Sequence, residues 1–410
     1  MLMPDVNRVI EICLDPEALR PHLQTALAAH GRIEAVRVTK AHRSASLHRD
    51  PNPLKFHCEA RLHNGAALKL YGKVYRAGAS ADAARGADVL HVPELDLLLW
   101  LWPCDPVLSQ LAALLEPAVT QSLWDAPAAD IQVPRYEPER RATLRYTHAD
   151  GRVIYAKTFA DTRGETVFRR FAWMWERAQQ SADAPLVARP LQCSADGRTL
   201  FQEAARGTPL LQLALDPPNG KWLLPLAHAI ATVHTAPASL AGPSPRDREH
   251  WLVEVRRRRN KISRVLPELT ELADATANAI VHAAAHLPMH EPTLIHGDFH
   301  PDQVWFDGQR IVLFDFDECA LGDPMEDLAE FIVKLPAGAI NAQFVAQWLG
   351  AYAQVAPQSF CRQRLAWHMA VQQLLQASRA FIFQIDDWRS QVQRRLERAH
   401  GLATQIDALT

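Results

Sequence analysis

Two stretches of the chain alternate apolar and polar residues with the two-residue period of a half-buried strand and then change to helical spacing. KLYGKVYRAGASADAAR (Lys69 to Arg85) and VIYAKTFADTRGETVFRR (Val153 to Arg170) each predict a strand ending in Tyr-x-Lys, a polar turn and a helix. Lys73 and Lys157 stand 84 residues apart. Each strand follows a hairpin pattern, with Asn64-Gly65 or Asp150-Gly151 as the turn. Each helix precedes an apolar run, LDLLLWLWP or RTLFQEA, that fits a buried strand. The pattern of a small mixed lobe is therefore written twice.

In the second copy Val167, Phe168, Phe171, Met174 and Trp175 share one helical face and predict packing against a sheet. After Pro209 the spacing is helical: LLPLAHAIATVHTA, the long charged run from Glu249 to Leu287, and a series from Phe344 to Gln405. A short β-rich insert, TLIHGDFHPDQVWFDGQRIVLFDFDE, interrupts it. The expected fold class is α+β, with an N-terminal module over residues 1–125, a small antiparallel-sheet lobe over 126–207 and a mostly helical lobe over 208–410. The seam after the module is expected in WDAPAAD, Asp125 to Asp130.

The 410 residues are 48% hydrophobic and 22% charged with a formal net charge of -2, which excludes a global basic field and, with it, the usual footprint of nucleic-acid binding. The run Arg256 to Arg259 reads as a solvated helix face, with anion binding as the alternative. Cys13, Cys58, Cys104, Cys193, Cys319 and Cys361 show no metal-ligand spacing and read as buried thiols of a reducing compartment. The first residues carry acids where a signal peptide has its positive end, and no segment approaches the ~20 apolar residues of a membrane span. The expectation is a cytoplasmic protein with neither nucleic acid nor membrane as partner.

Candidate chemistry concentrates in HGDFHPDQVWF, His296 to Phe306, and in the FDFDE that follows. TLIHGDF reads as an apolar strand entering a turn, and VWFDGQRIVLF as a hairpin with Asp307-Gly308 at its tip. That arrangement puts Asp298 and Asp315 at the same end of one hairpin. With the amide of Gln303 they form a set able to hold a divalent cation against phosphates, since Mg²⁺ takes oxygen ligands and few carboxylates.

The series HGDFHPDQV and then IVLFDFDECALGDPMEDLA resembles the catalytic loop and metal-binding segment of the aminoglycoside phosphotransferase and choline kinase group, within the protein-kinase-like superfamily. The resemblance extends from about Ile131 to the C-terminus. It implies a bilobal kinase-like fold and ATP- and Mg²⁺-dependent transfer of the γ-phosphate to a hydroxyl of a small molecule. It implies that Asp298 meets the attacking hydroxyl, that His296 holds the turn, that Asp315 binds Mg²⁺ and that Asp327 bonds the loop backbone. Gln303 stands where the family usually has asparagine as a second metal ligand. Lys157 would meet the α- and β-phosphates, because its 141-residue distance to Asp298 resembles the family's spacing and the 225 residues from Lys73 do not. Glu165 is the preferred helix partner of that lysine, with Glu176 as the other candidate.

The glycine-free YEPERRATLRY offers Arg141 or Arg140 as a phosphate contact. LFQEAARGTPL resembles the interlobe hinge, with backbone groups at Glu203 and Ala204 for the adenine edge and Gly207 allowing the turn. Asp302, Asp317 and Glu318 are possible acceptor contacts; for the last two the choice between recognising a substrate cation and simple solvation stays open. In the first copy the positions aligned with Glu165 and Glu176 are Ala81 and Val92, so no ion pair to Lys73 and no nucleotide site are expected there. The module is expected to cap or shape the substrate cleft, the alternative being a site for a regulator. Its presence resembles the maltokinase and glucosamine-kinase branch and favours a saccharide acceptor over aminoglycosides, choline or amino alcohols. A nucleotide-binding scaffold without transfer activity is the rival reading.

Overall fold

The computed structural model describes residues 5–43, 51–76, 78–85, 89–213, 221–336, 342–382 and 387–409. They fall into two compact units, Met1–Gly164 with Ser194–Phe201, and Glu165–Cys193 with Gln202–Thr410. The seam expected near Asp125 lies inside the first of these.

In the first unit α1 (Val6–Leu14) and α2 (Pro16–Ala26) share a core with a five-stranded antiparallel sheet. Asp15 starts α2 by accepting from the Glu17 amide at 2.9 Å, and Pro16 occupies the first turn, where a missing N–H costs nothing. The strands β1 (Ile33–Arg43), β2 (Leu54–Leu62), β3 (Ala67–Val74), β4 (Leu90–Val92) and β5 (Leu97–Leu101) lie in the order β1-β2-β3-β5-β4, with α3 (Ala79–Ala83) following β3 in the chain. After α4 (Leu111–Leu114) and α5 (Gln121–Trp124) comes a second sheet of β6 (Asp130–Glu137), β7 (Arg141–Thr147), β8 (Val153–Phe159) and, beyond β9 (Pro190–Cys193), β10 (Thr199–Glu203). Its order β6-β7-β8-β10 repeats β1-β2-β3-β5. Lys73 on β3 lies opposite Lys55, and Lys157 on β8 opposite Thr143.

One expectation is overturned here, because Lys73 does form an ion pair. Its ammonium, almost wholly buried, lies 2.6 Å from Glu139, which also accepts from Lys55 and the Tyr71 hydroxyl at 2.8 Å each. A buried ammonium requires a counter-charge, and the β6–β7 turn supplies it from outside the positions that the repeat aligns. Asp105 braces the same turn by accepting from the Tyr136 hydroxyl at 2.8 Å and the Glu139 amide at 3.0 Å. Gln110 donates to Thr158 and Phe159, and Tyr146 to the Leu114 carbonyl. These polar ties bind the module and the second sheet into a single unit.

The second unit is mostly helical. On α6 (Arg163–Gln180) Val167, Phe171, Met174 and Ala178 are buried, while Phe168 and Trp175 flank them half-buried. Past β11 (Thr208–Pro209) come α7 (Leu210–Leu213) and α8 (Leu223–His234). The long charged run is two helices, α9 (Arg248–Val265) and α10 (Thr270–Ala284), because Pro267 forces Leu266 out of helical geometry. Arg256 to Arg259 pair with Glu249, Glu254 and Asp274, as a solvated face does. Four short strands follow, β12 (Thr293–Ile295), β13 (Val304–Phe306), β14 (Ile311–Leu313) and β15 (Ala320–Gly322). The chain ends in α11 (Pro324–Lys334), α12 (Ala342–Val355), α13 (Arg362–Ile382) and α14 (Trp388–Thr404). α9, α10, α13 and α14 close one apolar core around Trp251, Ile262, Ile280, Trp367, Leu374 and Leu396.

No helix among the described residues is long and apolar enough to cross a membrane. Cys13, Cys58 and Cys319 are buried, but Cys104 is exposed. It lies in the proline-flanked WPCDP loop after β5, where no strand or helix period turns a side chain inward.

Candidate active site

β12 pairs antiparallel with β15, and β13 with β14. The Asp307 carboxylate closes the β13–β14 hairpin by accepting from the Gln309 and Arg310 amides at 2.9 and 2.7 Å. The loop leaving β12 and the segment leaving β14 are joined at two points. Phe314 donates its amide to the Gln303 carbonyl at 3.1 Å, and the Nε2 of His296 donates to the Phe314 carbonyl at 2.8 Å.

Asp327, on the first turn of α11, holds the loop backbone. Its carboxylate accepts from the amides of His296 at 2.7 Å and Gly297 at 2.9 Å, and from Nε2 of His234 at 3.0 Å. His234 is itself bonded through Nδ1 to the Tyr352 hydroxyl at 2.7 Å. Burial alone would raise the Asp327 carboxyl, but these donors hold it below its ordinary range. Gly297 has φ +77, and a Cβ there would overlap the Glu318 carbonyl oxygen, so glycine is required twice over. His296 is fully buried, and burial pushes its pKa down against the charges of Asp327, Asp298 and Asp315. It is a neutral prop, packed 5.0 Å from the Phe316 ring.

Asp315 adopts the left-handed conformation, φ 60 and ψ 61, which costs an aspartate more than a glycine. Arg170 of α6 holds the backbone beyond it. This buried guanidinium donates to the carbonyls of Phe316 at 2.6 Å, Leu240 at 2.7 Å, and Asp317 and Cys319 at 2.9 Å. Arg246 performs a similar task from the other side, donating to the Gly297 carbonyl at 2.5 Å and pairing with Glu326 at 3.0 Å and Glu318 at 3.4 Å.

Asp298 is half-buried. Its Oδ1 accepts from the Lys334 ammonium at 2.8 Å, and Lys334 also pairs with Glu330 at 2.7 Å. The Nε2 of His300 is 3.7 Å from Oδ2. Burial would raise the Asp298 carboxyl, yet His300 and Lys334 hold it well below the usual carboxylate range. The amide nitrogen of Gln303 lies 3.3 Å from His300 Nε2, and its Oε1 is the atom that could meet a cation. Asp302 is exposed, 3.6 Å from His300. Asp317 is buried and Glu318 exposed. If Asp315 and Gln303 met Mg²⁺, they would supply one carboxylate and one amide oxygen, a set of oxygen ligands small enough to leave positions for phosphate and water.

His296, Asp298, Gln303, Asp315 and Asp327 thus come together in the second unit. Lys157 and Arg141 belong to the first, where Lys157 is half-buried on β8 and Arg141 lies 3.6 Å from Glu137, with Arg140 at 3.3 Å from the same acid. Glu165 and Glu176 are exposed on α6. Glu203 donates its amide to the Arg189 carbonyl at 2.9 Å, Ala204 follows it, and Gly207 has φ +152 against the Phe306 carbonyl. Sequence reasoning missed Arg170, His234, Arg246, Glu330 and Lys334. The last two stand three and seven residues after Asp327, a helical spacing that could have placed them on the face turned to the loop.

Residues 169–368 match the family described as the phosphotransferase enzyme family. A thermostable mutant of aminoglycoside phosphotransferase APH(4)-Ia, in ternary complex with AMP-PNP and hygromycin B, shares the fold with a TM-score of 0.50 at 18% identity, covering 72% of this chain and 100% of that one. A choline/ethanolamine kinase family protein from Mesorhizobium loti gives a TM-score of 0.48 at 15% identity, covering 72% and 96%. No curated protein matches. Over residues 169–368 the chain resembles the phosphotransferase enzyme family, and its fold resembles that of the aminoglycoside phosphotransferase.

Proposed function

We propose that this protein transfers the γ-phosphoryl group of ATP to a hydroxyl of a small molecule, with a sugar, amino sugar or aminoglycoside as the acceptor. The observation that carries the proposal is the pairing of a pinned loop with a strained metal-segment aspartate: Asp327 fixes the backbone that presents Asp298, and Asp315 is held in a left-handed turn beside it. Mg²⁺, held by Asp315 and Gln303, would neutralise phosphate charge when bound. Asp298 would orient the acceptor hydroxyl. Catalysis would rest chiefly on positioning, as suits a loose transition state in which proton abstraction comes late. Lys157 and Arg141 would meet phosphates, Glu165 would support the lysine, and the backbone at Glu203 and Ala204 would meet adenine.

The test is transfer of labelled phosphate from ATP with Mg²⁺ to a panel of sugars, amino sugars, aminoglycosides and choline. Transfer to one class that disappears in Asp298→Asn supports the proposal. Tight ATP binding with no transfer to any acceptor supports the scaffold reading instead, which the ion pair of Lys334 on Asp298 favours.

A further inference from the structure

Asp298 carries a cation that the proposed role does not explain. Lys334 closes the last turn of α11, and its ammonium bridges Asp298 Oδ1 at 2.8 Å and Glu330 Oε1 at 2.7 Å. Glu330 is buried, and its second oxygen has no hydrogen-bond partner among the described residues. Burial, with Asp298 and Asp327 near, raises its carboxyl, so it is a weak anchor for a positive charge. Asp327, Glu330 and Lys334 follow one another at helical spacing on the face of α11 that holds the loop. The helix that fixes the backbone leading into Asp298 therefore also delivers the charge that pairs with its side chain.

An ammonium on this carboxylate competes with the hydrogen bond that Asp298 would accept from a hydroxyl. Oδ2 stays open to a hydroxyl, and Asp298 becomes the stronger base for its proton once Lys334 turns from Oδ1 to another anion at short range. A hydroxyl bonded to Asp298 lies about 2.7 Å from the carboxylate, and its oxygen attacks from about 3 Å, so the phosphoryl oxygens come within reach of a side chain with four rotatable bonds. We propose that Lys334 is a catalytic residue that moves from Asp298 to the γ-phosphoryl group when nucleotide binds, freeing Asp298 to take the acceptor hydroxyl. In that step the acceptor oxygen bonds to the γ-phosphorus as the bond to the β,γ-bridging oxygen breaks. The hydroxyl proton passes to Asp298, ADP leaves with the bridging oxygen, and Lys334 donates to the transferring oxygens throughout.

This inference rests on the phosphotransferase reading, and nucleotide binding separates the two without any acceptor. The affinities of the full chain for Mg-ATP and Mg-ADP are measured by calorimetry for wild type, Lys334→Met and Lys334→Gln, alongside thermal unfolding; the glutamine variant serves if the methionine one does not fold. A lost γ-phosphate contact predicts that Mg-ATP affinity falls about tenfold while Mg-ADP affinity stays within about twofold, the loss of one charge-assisted hydrogen bond. Lys334→Arg, which keeps the charge, should retain most of the preference for ATP. An unchanged ATP-to-ADP ratio, or an equal loss of both nucleotides, overturns the role of Lys334. A wild-type chain that binds neither nucleotide sinks the phosphotransferase reading itself.

Discussion

The smallest scale at which the site can be tested is a single backbone angle. Gly297 separates the histidine that props the turn from the aspartate proposed to meet the acceptor, with φ +77 and no room for a Cβ beside the Glu318 carbonyl. Gly297→Ala must distort the loop or displace the FDFDE segment. We expect a loss of about 2 kcal/mol or more in urea unfolding, since the left-handed region alone costs roughly 1–2 kcal/mol for a residue with a Cβ. Stability within a few tenths of wild type would show that the loop relaxes freely. Asp298→Asn tests the neighbouring residue: transfer should vanish while the chain still folds with a lowered melting temperature, because the neutral amide fits the site but loses the ion pair with Lys334. These residues were legible in advance because HGD and FDFDE are short, local and chemically dense. The helical spacing of Lys334 from Asp327 was legible, but its partner was not, because a lysine at the end of a helix looks like any solvated charge until the fold sets it 2.8 Å from Asp298.

At the scale of elements, the segment that leaves β14 depends on a helix far away in the chain. Arg170 was read only as part of the helix following Lys157, yet it saturates four carbonyls, two of them in the residues just after Asp315. Arg170→Met leaves buried carbonyls without donors and should cost at least about 3 kcal/mol, the scale of losing several hydrogen bonds to a charged group. If Asp315 holds Mg²⁺, the variant should also need a higher Mg²⁺ concentration for half-maximal transfer. A Mg²⁺ titration identical to wild type would separate Arg170 from the metal segment. The periodicity of α6 was correctly read from Val167, Phe171 and Met174, but a buried arginine interrupts the apolar pattern and is invisible to it. The break between α9 and α10 was legible in principle from Pro267, and the run of charges around it hid the break.

At the scale of the whole molecule, the repeated strand order turns a weak echo of spacing into a duplicated architecture, with the charge of the first copy redirected. Lys73 and Lys55 converge on Glu139, which lies in the β6–β7 turn of the second sheet. Burial would raise the Glu139 carboxyl, but Lys55, Lys73 and Tyr71 hold it below its ordinary value. A depressed carboxylate stabilises the fold above its unfolded pKa of ~4.3, and that stability is lost as the pH falls through the folded value. Glu139→Gln should therefore cost about 3 kcal/mol at pH 7, as breaking a buried pair does, and should flatten the acid limb of stability between about pH 5 and 3. An acid limb identical to wild type would move the effect to other carboxylates. By itself the sequence determined the two strand-turn-helix copies, the helical remainder and the loop motifs, because periodicity and turn chemistry act over a few residues. Only the tertiary structure decided which polar groups meet: Glu139 with Lys73, Arg170 with the carbonyls after Asp315, and Lys334 with Asp298. The physical reason is that these ion pairs and hydrogen bonds join groups from 36 to 149 residues apart in the chain, and no local pattern records them.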